Sequence, residues 1–453
     1  MVFSSITFIY VFLPILLLIY YITPNKYKNI ILLLGSLIFY GFETPKFLIL
    51  MILSILLTYI NGRLIEKFNN KITLFFSLSC CLIPLLYFKY SNFFIENINQ
   101  LFNTNINALK VFLPIGISFY TFQMISYLID VKNKKYSCEK NIINLSLYVC
   151  CFPQLIAGPI VKFEKFKEQI TNKNISIDNF SKGILLFCVG LGQKVLLANQ
   201  LGEYCDLYNY NDATILSSWI YMISYSLQIY FDFCGYSTMA IGLGKMFGFE
   251  FPKNFNYPFI SISIKDFWKR WHITLSSFFK DYVYIPLGGS KCNKTRNIIN
   301  LFVVWFLTGF WHGAQWNFIL WGLFFFVLLL IEKYCIKIEI NKIIKRLGTL
   351  FMIGISFLIF SSNSLLETIF KIKNLFIGTL YTKIDLFNMI NYLEIIILAM
   401  ILSTPILKNF YSKHIKDSKI SIIIEPLFII IILILSTSFL IDDSFNPFLY
   451  FRF

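Results

Sequence analysis

Apolar runs long enough to cross a bilayer recur along the whole chain, and they limit its fold more than any other feature. A membrane helix needs roughly 17 to 25 mainly apolar residues. Candidate runs fall at 2–22, 29–42, 46–62, 71–88, 111–130, 141–161, 182–201, 213–233, 296–312, 314–331, 347–361, 387–404 and 422–441. Several are short or interrupted by Pro and Gly, so about 11 to 13 membrane-embedded helices are expected, some of them broken or re-entrant. Irregular backbone is tolerated at that depth only where protein or water covers it. The chain is 57% hydrophobic and 14% charged, whereas about a quarter of a soluble domain is charged. The fold class is therefore all-α integral membrane, read as one multi-pass domain over residues 1–453. Residues 2–22 lack a preceding basic segment and a following small-residue cleavage pattern, so they read as a first spanning helix rather than a cleaved signal.

The formal net charge is +16. The cations cluster in short loops, which points to the positive-inside rule and anionic lipid rather than to nucleic acid. Basic loops fall at Lys26–Lys28, Arg63–Lys71, Lys132–Lys140, Lys333–Arg346 and Lys408–Lys419. If these are cytoplasmic, both termini are extracytoplasmic. Lys162, Lys165, Lys167 and Lys173 break the alternation, and a re-entrant segment before them would restore it. The ten cysteines show no C-x-x-C spacing and lie mostly in apolar sequence. They read as small buried residues, and with three histidines no metal site is expected.

Residues 91–107, "SNFFIENINQLFNTNIN", read as an exposed loop. Pro and Gly inside "FLPIGISFYTFQ" (112–123) and "FPQLIAGPIVKF" (152–163) imply either kinked, packed helices or broken helices lining a cavity. "SISIKDFWKRWHITLSSFFKDYVYIPLGG" (261–289) is too charged to span. On a helix, Phe267, Trp268, Trp271, Leu275, Phe278, Phe279 and Tyr282 fill one arc, with Lys265, Lys269, Arg270, Lys280 and Asp281 on the other side. Ser263 with Asp266 is a capping start, and Pro286 with Gly288 and Gly289 a stop. One continuous interfacial helix is expected there.

"TGFWHGAQW" (308–316) places His312 inside an apolar run flanked by glycines. An ionisable residue at such a position is a functional candidate, because its charged form is costly there. Burial favours neutral imidazole, which can accept a hydroxyl proton. The bland alternative is a structural hydrogen bond. The flanking glycines leave room either for substrate or for close helix packing. No nucleophile elbow, phosphate loop, dinucleotide fingerprint or paired-acid arrangement accompanies the histidine.

"DFWKRWHITLSSFFKDYVYIPLGGS" (266–290) followed by "LTGFWHGAQWNFILWG" (307–322) resembles the signature region of the membrane-bound O-acyltransferase (MBOAT) family. The likeness is to the bacterial branch that O-acetylates alginate and peptidoglycan and D-alanylates teichoic acid. "LPIGISFYTFQMISYLIDV" (113–131), "FPQLIAGPI" (152–160) and "YFDFCGYSTMAIGLGKMFGF" (230–249) resemble it too. The likeness is strongest over 110–325, which would form the catalytic core. It implies an MBOAT fold around a central tunnel, fed by an acyl thioester donor from the cytoplasm (acetyl-CoA or an acyl carrier). No bound cofactor is implied. The acceptor would be an extracytoplasmic glycan, with peptidoglycan the leading choice, reached with an extracytoplasmic O-acetyltransferase partner. By the same resemblance His312 is the catalytic base and His272 a supporting residue. Trp311, Trp316, Trp268, Trp271, Asp281 and Tyr282 would shape the tunnel. Lys269, Arg270 and Lys280 would meet donor phosphates, or simply anchor the interface. The aromatic tail "FLYFRF" (448–453) resembles tails in which a tyrosine relays the acyl group, which maps to Tyr450; the alternative is a membrane-interface anchor. A different-class alternative for the whole chain is a non-catalytic transporter or assembly scaffold.

Overall fold

Every regular element among the described residues of the computed structural model, 1–335 and 341–442, is helical. Seven helices there are long and apolar enough to cross a membrane: Pro45–Phe68, Lys71–Phe102, Ile177–Asp206, Trp316–Cys335, Lys342–Phe360, Lys383–Leu402 and Ser421–Asp442. Phe8–Ile22 is a shorter apolar helix. The chain folds as two compact units: Met1–Phe187 with Ser237–Pro252, and Cys188–Tyr236 with Lys253–Phe453.

In the first unit, Phe8, Phe39 and Phe152 form the centre of an aromatic core, with ring centroids 5.8 Å (Phe8–Phe39) and 5.4 Å (Phe39–Phe152) apart. The helix Lys71–Leu85 contains Pro84. A wide turn at Leu86–Tyr90 follows it, and the chain continues as the helix Ser91–Phe102, ending at left-handed Asn103. The loop expected at 91–107 is thus helical over its first twelve residues. Its asparagines do not break the helix because they bond the returning chain. Asn99 Oδ1 accepts from the Ile106 N–H at 2.9 Å, and Asn92 Oδ1 from the Leu109 N–H at 2.8 Å.

The two Pro/Gly-rich stretches meet. Gly116 has φ +73°, and a Cβ there would lie 2.6 Å from the carbonyl oxygen of Leu155. Ile117–Lys132 starts just after it. The 141–161 run is broken into Ile142–Cys150 and Phe152–Leu155. Its irregular backbone is covered by protein: Tyr148 OH donates to the Val161 carbonyl at 3.0 Å, and Gln154 Nε2 to the Tyr148 carbonyl at 2.6 Å. The run is thus broken and tightly packed, combining parts of the two alternatives, and it returns the chain to the end it left. Lys132 Nζ donates to the Asn69 carbonyl at 2.6 Å, the Cys138 N–H donates to Glu66 at 3.0 Å, and Lys167 pairs with Glu139 at 3.3 Å. The basic loops near 63–71, 132–140 and 162–173 therefore share one end of the unit, which removes the break in charge alternation.

The run expected at 213–233 belongs to a longer helix, Ile215–Met246, whose residues up to Tyr236 belong to the second unit. Asp232 on it pairs with Lys194 at 2.7 Å, both side chains buried, and Lys194 also donates to Asn199 at 2.8 Å. A buried ammonium persists there because charge and hydrogen bonds compensate its lost hydration. The helices Lys294–His312 and Trp316–Leu330 form a tight hairpin. A Cβ on Gly309 would lie 2.3 Å from the Phe318 carbonyl oxygen, and one on Gly322 would lie 2.3 Å from that of Trp305. The glycines near His312 thus serve close helix packing.

Candidate active site

The single interfacial helix expected over 261–289 is broken in the structure. Ser263 caps a short helix Ile264–Trp268, its side chain accepting from the Asp266 N–H at 3.0 Å. The second piece, Ile273–Phe279, has His272 at its N-cap, in the left-handed conformation at φ 43°, ψ 53°. Such a conformation costs a non-glycine residue on the order of 1–3 kcal/mol and tends to mark functional sites. Here the segment 254–256 holds it. The Ile273 N–H donates to the Asn254 carbonyl at 2.9 Å, and the Asn256 N–H to the Arg270 carbonyl at 2.9 Å. The break preserves the apolar arc, since Phe267, Trp268, Trp271, Leu275, Phe278, Phe279 and Tyr282 are all buried.

The Asn254 side chain is the centre of this arrangement. Its Oδ1 accepts from the Thr274 N–H at 3.2 Å and the Thr274 hydroxyl at 2.9 Å, and it lies 3.1 Å from His272 Nδ1. A main-chain N–H can only donate, so the shared atom must be the amide oxygen. His272 Nδ1 therefore carries a proton, and in the neutral ring Nε2 is the lone-pair nitrogen. Burial first, and the neighbouring His312 second, hold the His272 imidazole well below the ordinary histidine value. It is neutral at pH 7.

His312 is the last residue of its hairpin helix and is 6% exposed. Trp321 and Phe360 stand edge-on to its ring, with centroids 4.9 and 5.5 Å away. Trp311 bridges the two histidines, 5.0 Å from His312 and 6.1 Å from His272. Phe233 closes the other side of His272 at 4.6 Å. The structure thus gathers His312, His272, Trp311, Trp268 and Trp271 in one aromatic cluster, with Trp268 5.7 Å from Trp321 and Trp271 stacked on Phe267. Three buried donors have no acceptor among the described residues: Asn254 Nδ2, Trp268 Nε1 and Trp321 Nε1. A neutral imidazole nitrogen in such a cluster can take a proton from a hydroxyl.

The remaining expected residues lie elsewhere. Trp316 opens the second hairpin helix and is 55% exposed. Tyr282 packs on Phe278 at 5.0 Å, and Asp281 is half-buried. Arg270 is paired with Asp266 at 3.0 Å, whereas Lys269 and Lys280 are exposed. Lys280 edges a mainly apolar cavity of about 150 Å³ that Trp268, Trp305 and Thr308 also line. Tyr450 lies outside the described residues. Asn254 escaped the sequence reading: it sits in "PKNFNYP" (252–258), which has no periodicity, and its partners lie 18 to 20 residues away.

The pattern of the MBOAT, membrane-bound O-acyltransferase family matches residues 139–340. The protein named probable alginate O-acetylase AlgI of Azotobacter vinelandii is 39% identical over 345 residues, covering 74% of this chain and 69% of the relative. The peptidoglycan O-acetyltransferase of Helicobacter pylori is 36% identical, covering 71% and 68%. The teichoic acid D-alanyltransferase of Bacillus subtilis is 31% identical over smaller shares, 48% and 58%. The chain belongs to the membrane-bound O-acyltransferase family. It is a multi-pass membrane acyltransferase, which decides against the transporter and scaffold alternative.

Proposed function

We propose that this protein moves an acetyl group from a cytoplasmic thioester to hydroxyls of an extracytoplasmic glycan, with His312 as general base. The observation that carries the reading is the buried His312–His272 pair, His272 holding its proton on Nδ1 through Asn254. Acetyl is preferred over D-alanyl because the relatives named for O-acetylation are more similar and matched over more of the chain. Peptidoglycan is the acceptor we favour, on the strength of the aromatic tail carried by the same chain. The likeness to the alginate O-acetylases favours a secreted polysaccharide as the second reading.

In this scheme His312 takes the hydroxyl proton, the hydroxyl oxygen attacks the thioester carbonyl, and the thiolate leaves. The N–H groups of Asn254, Trp268 and Trp321 receive the carbonyl oxygen's charge. Trp311 and Trp316 bound the tunnel, and Lys269, Arg270 and Lys280 meet donor phosphates. The end gathering the basic loops faces the cytoplasm and both termini face outward, in the bacterial cytoplasmic membrane. In the relay the attacking hydroxyl is the Tyr450 phenol, and an extracytoplasmic partner then passes the acyl group from that ester to a sugar hydroxyl, freeing the phenol.

Permeabilised cells that make the protein and its extracytoplasmic partner, given labelled acetyl thioester, test the acceptor. Label should appear as alkali-labile ester on peptidoglycan; label only on secreted polysaccharide selects the second reading, and label only in lipid, or in protein elsewhere than on Tyr450, overturns both. For the relay, mass spectrometry should find an acetyl adduct on the Tyr450 peptide when no acceptor is present. A tail that never carries one removes Tyr450 from the pathway.

Asn254→Asp puts a carboxylate on His272 Nδ1 and stabilises its imidazolium. A histidine held below its usual value is neutral until pH falls through that lowered value, so His272 leaves wild-type turnover unaffected down to mildly acidic pH. In Asn254→Asp the acid limb of the kcat/KM profile should move to higher pH. A profile that keeps its wild-type position would show that Asn254 does not act through His272.

A further inference from the structure

The first unit holds a polar pocket that the acyl-transfer chemistry does not use. It lies between the segments 25–29 and 170–175 and has a volume of about 660 Å³. Asn25, Lys28, Asn29, Asn172, Lys173 and Asn174 line it, with no carboxylate among the lining residues. The two ammonium groups converge on one ring: Lys28 Nζ lies 5.2 Å and Lys173 Nζ 5.1 Å from the Tyr20 centroid. Lys173 also donates to Tyr20 OH at 3.1 Å, while that hydroxyl donates to the Phe247 carbonyl at 2.7 Å.

Lys28 is only 7% exposed. Lysines are almost never buried without an anionic partner, and neither of these two forms an ion pair with a carboxylate among the described residues. Ring contacts are weak and do not replace a counter-ion. Burial above all, opposed in part by Cys151 and reinforced by the neighbouring Lys28, lowers Lys173 to about 8. The buried lysine of the second unit gives the contrast, since Lys194 has Asp232 at 2.7 Å.

We propose that this pocket binds a phosphate group, held between Lys28 and Lys173 with the asparagine amides as additional donors. Two converging cations match a phosphate's several oxygens and charge, and an anion between them removes their mutual repulsion. The group can be carried by an anionic phospholipid headgroup or by a soluble phosphate compound. The site does not depend on the acyl-transfer reading, because neither lysine belongs to the histidine cluster.

The test uses full-length protein in zwitterionic nanodiscs, probed by native mass spectrometry with phosphatidylglycerol and, separately, with pyrophosphate. Wild type should retain at least one of them. Lys28→Gln/Lys173→Gln should weaken retention about tenfold or more, as expected for lost charge-assisted hydrogen bonds. Lys342→Gln, an exposed basic-loop control, should not. Phosphatidylglycerol bound selectively identifies a lipid headgroup, and pyrophosphate bound selectively identifies a soluble ligand. If the double variant does not fold, Lys173→Gln alone should weaken binding and Lys173→Arg should restore it. Binding of neither probe, or binding that the pocket substitutions leave unchanged, overturns the proposal.

Discussion

Replacing His312 by alanine should abolish acetyl transfer while the protein still accumulates in the membrane. Positioned acid–base help is typically worth about 10² to 10⁴ in rate, so ester content should fall to background. The imidazole is also a packing element, set edge-on between Trp321 and Phe360. His312→Gln separates the two roles, since it keeps much of the volume and hydrogen-bonding capacity but cannot serve as the base. It should retain the melting temperature of the wild type and still lose transfer. The measurement is acetate released by mild alkali from the glycans of wild-type and variant strains, alongside membrane protein abundance. Ester content that stays at the wild-type level in His312→Ala, with protein present, would falsify the assignment of His312 as base.

Alanine at Gly322 should destabilise the fold strongly. The added Cβ would stand 2.3 Å from the Trp305 carbonyl oxygen and 3.1 Å from the Gly309 backbone. Backbone on both sides cannot rotate away, so the hairpin helices must part. Overpacking of this kind costs about 1–3 kcal/mol, occasionally more, and it moves Trp305 and Trp321 out of register with His312. Gly348→Ala is the matched control. Nothing lies within 4 Å of a Cβ there, and relief of glycine's helix penalty should stabilise by roughly 0.5–1 kcal/mol. Thermal unfolding in detergent should show Gly322→Ala well below wild type and Gly348→Ala at or above it. Equal melting temperatures for the two would mean the hairpin seam is looser than its geometry indicates.

Much of this architecture was legible in the sequence because membrane helices announce themselves by apolar length, a local property. The two apolar runs at 296–312 and 314–331 and the apolar arc of 267–282 follow from such patterns, whereas the Pro/Gly-rich 152–163 stretch was open between kinked and broken helices. What was illegible depended on partners distant in sequence. The Asn-rich stretch after Ser91 is helical because Asn92 and Asn99 find main-chain partners on the returning chain. The helix through 261–289 breaks at His272 because Asn254, eighteen residues earlier, holds that residue in a left-handed conformation. Gly309 was ambiguous between making room for substrate and allowing helix contact until the facing carbonyl of Phe318 was located.

The donor that identifies Asn254 Oδ1, and through it the protonated nitrogen of His272, is the main-chain N–H of Thr274. Every residue except proline supplies that N–H at position 274. A side-chain scan through 273–279 would therefore detect only the Thr274 hydroxyl's share. The backbone's share of the instruction to the imidazole persists whatever side chain stands there, so substitution can drift without altering which His272 nitrogen holds the proton.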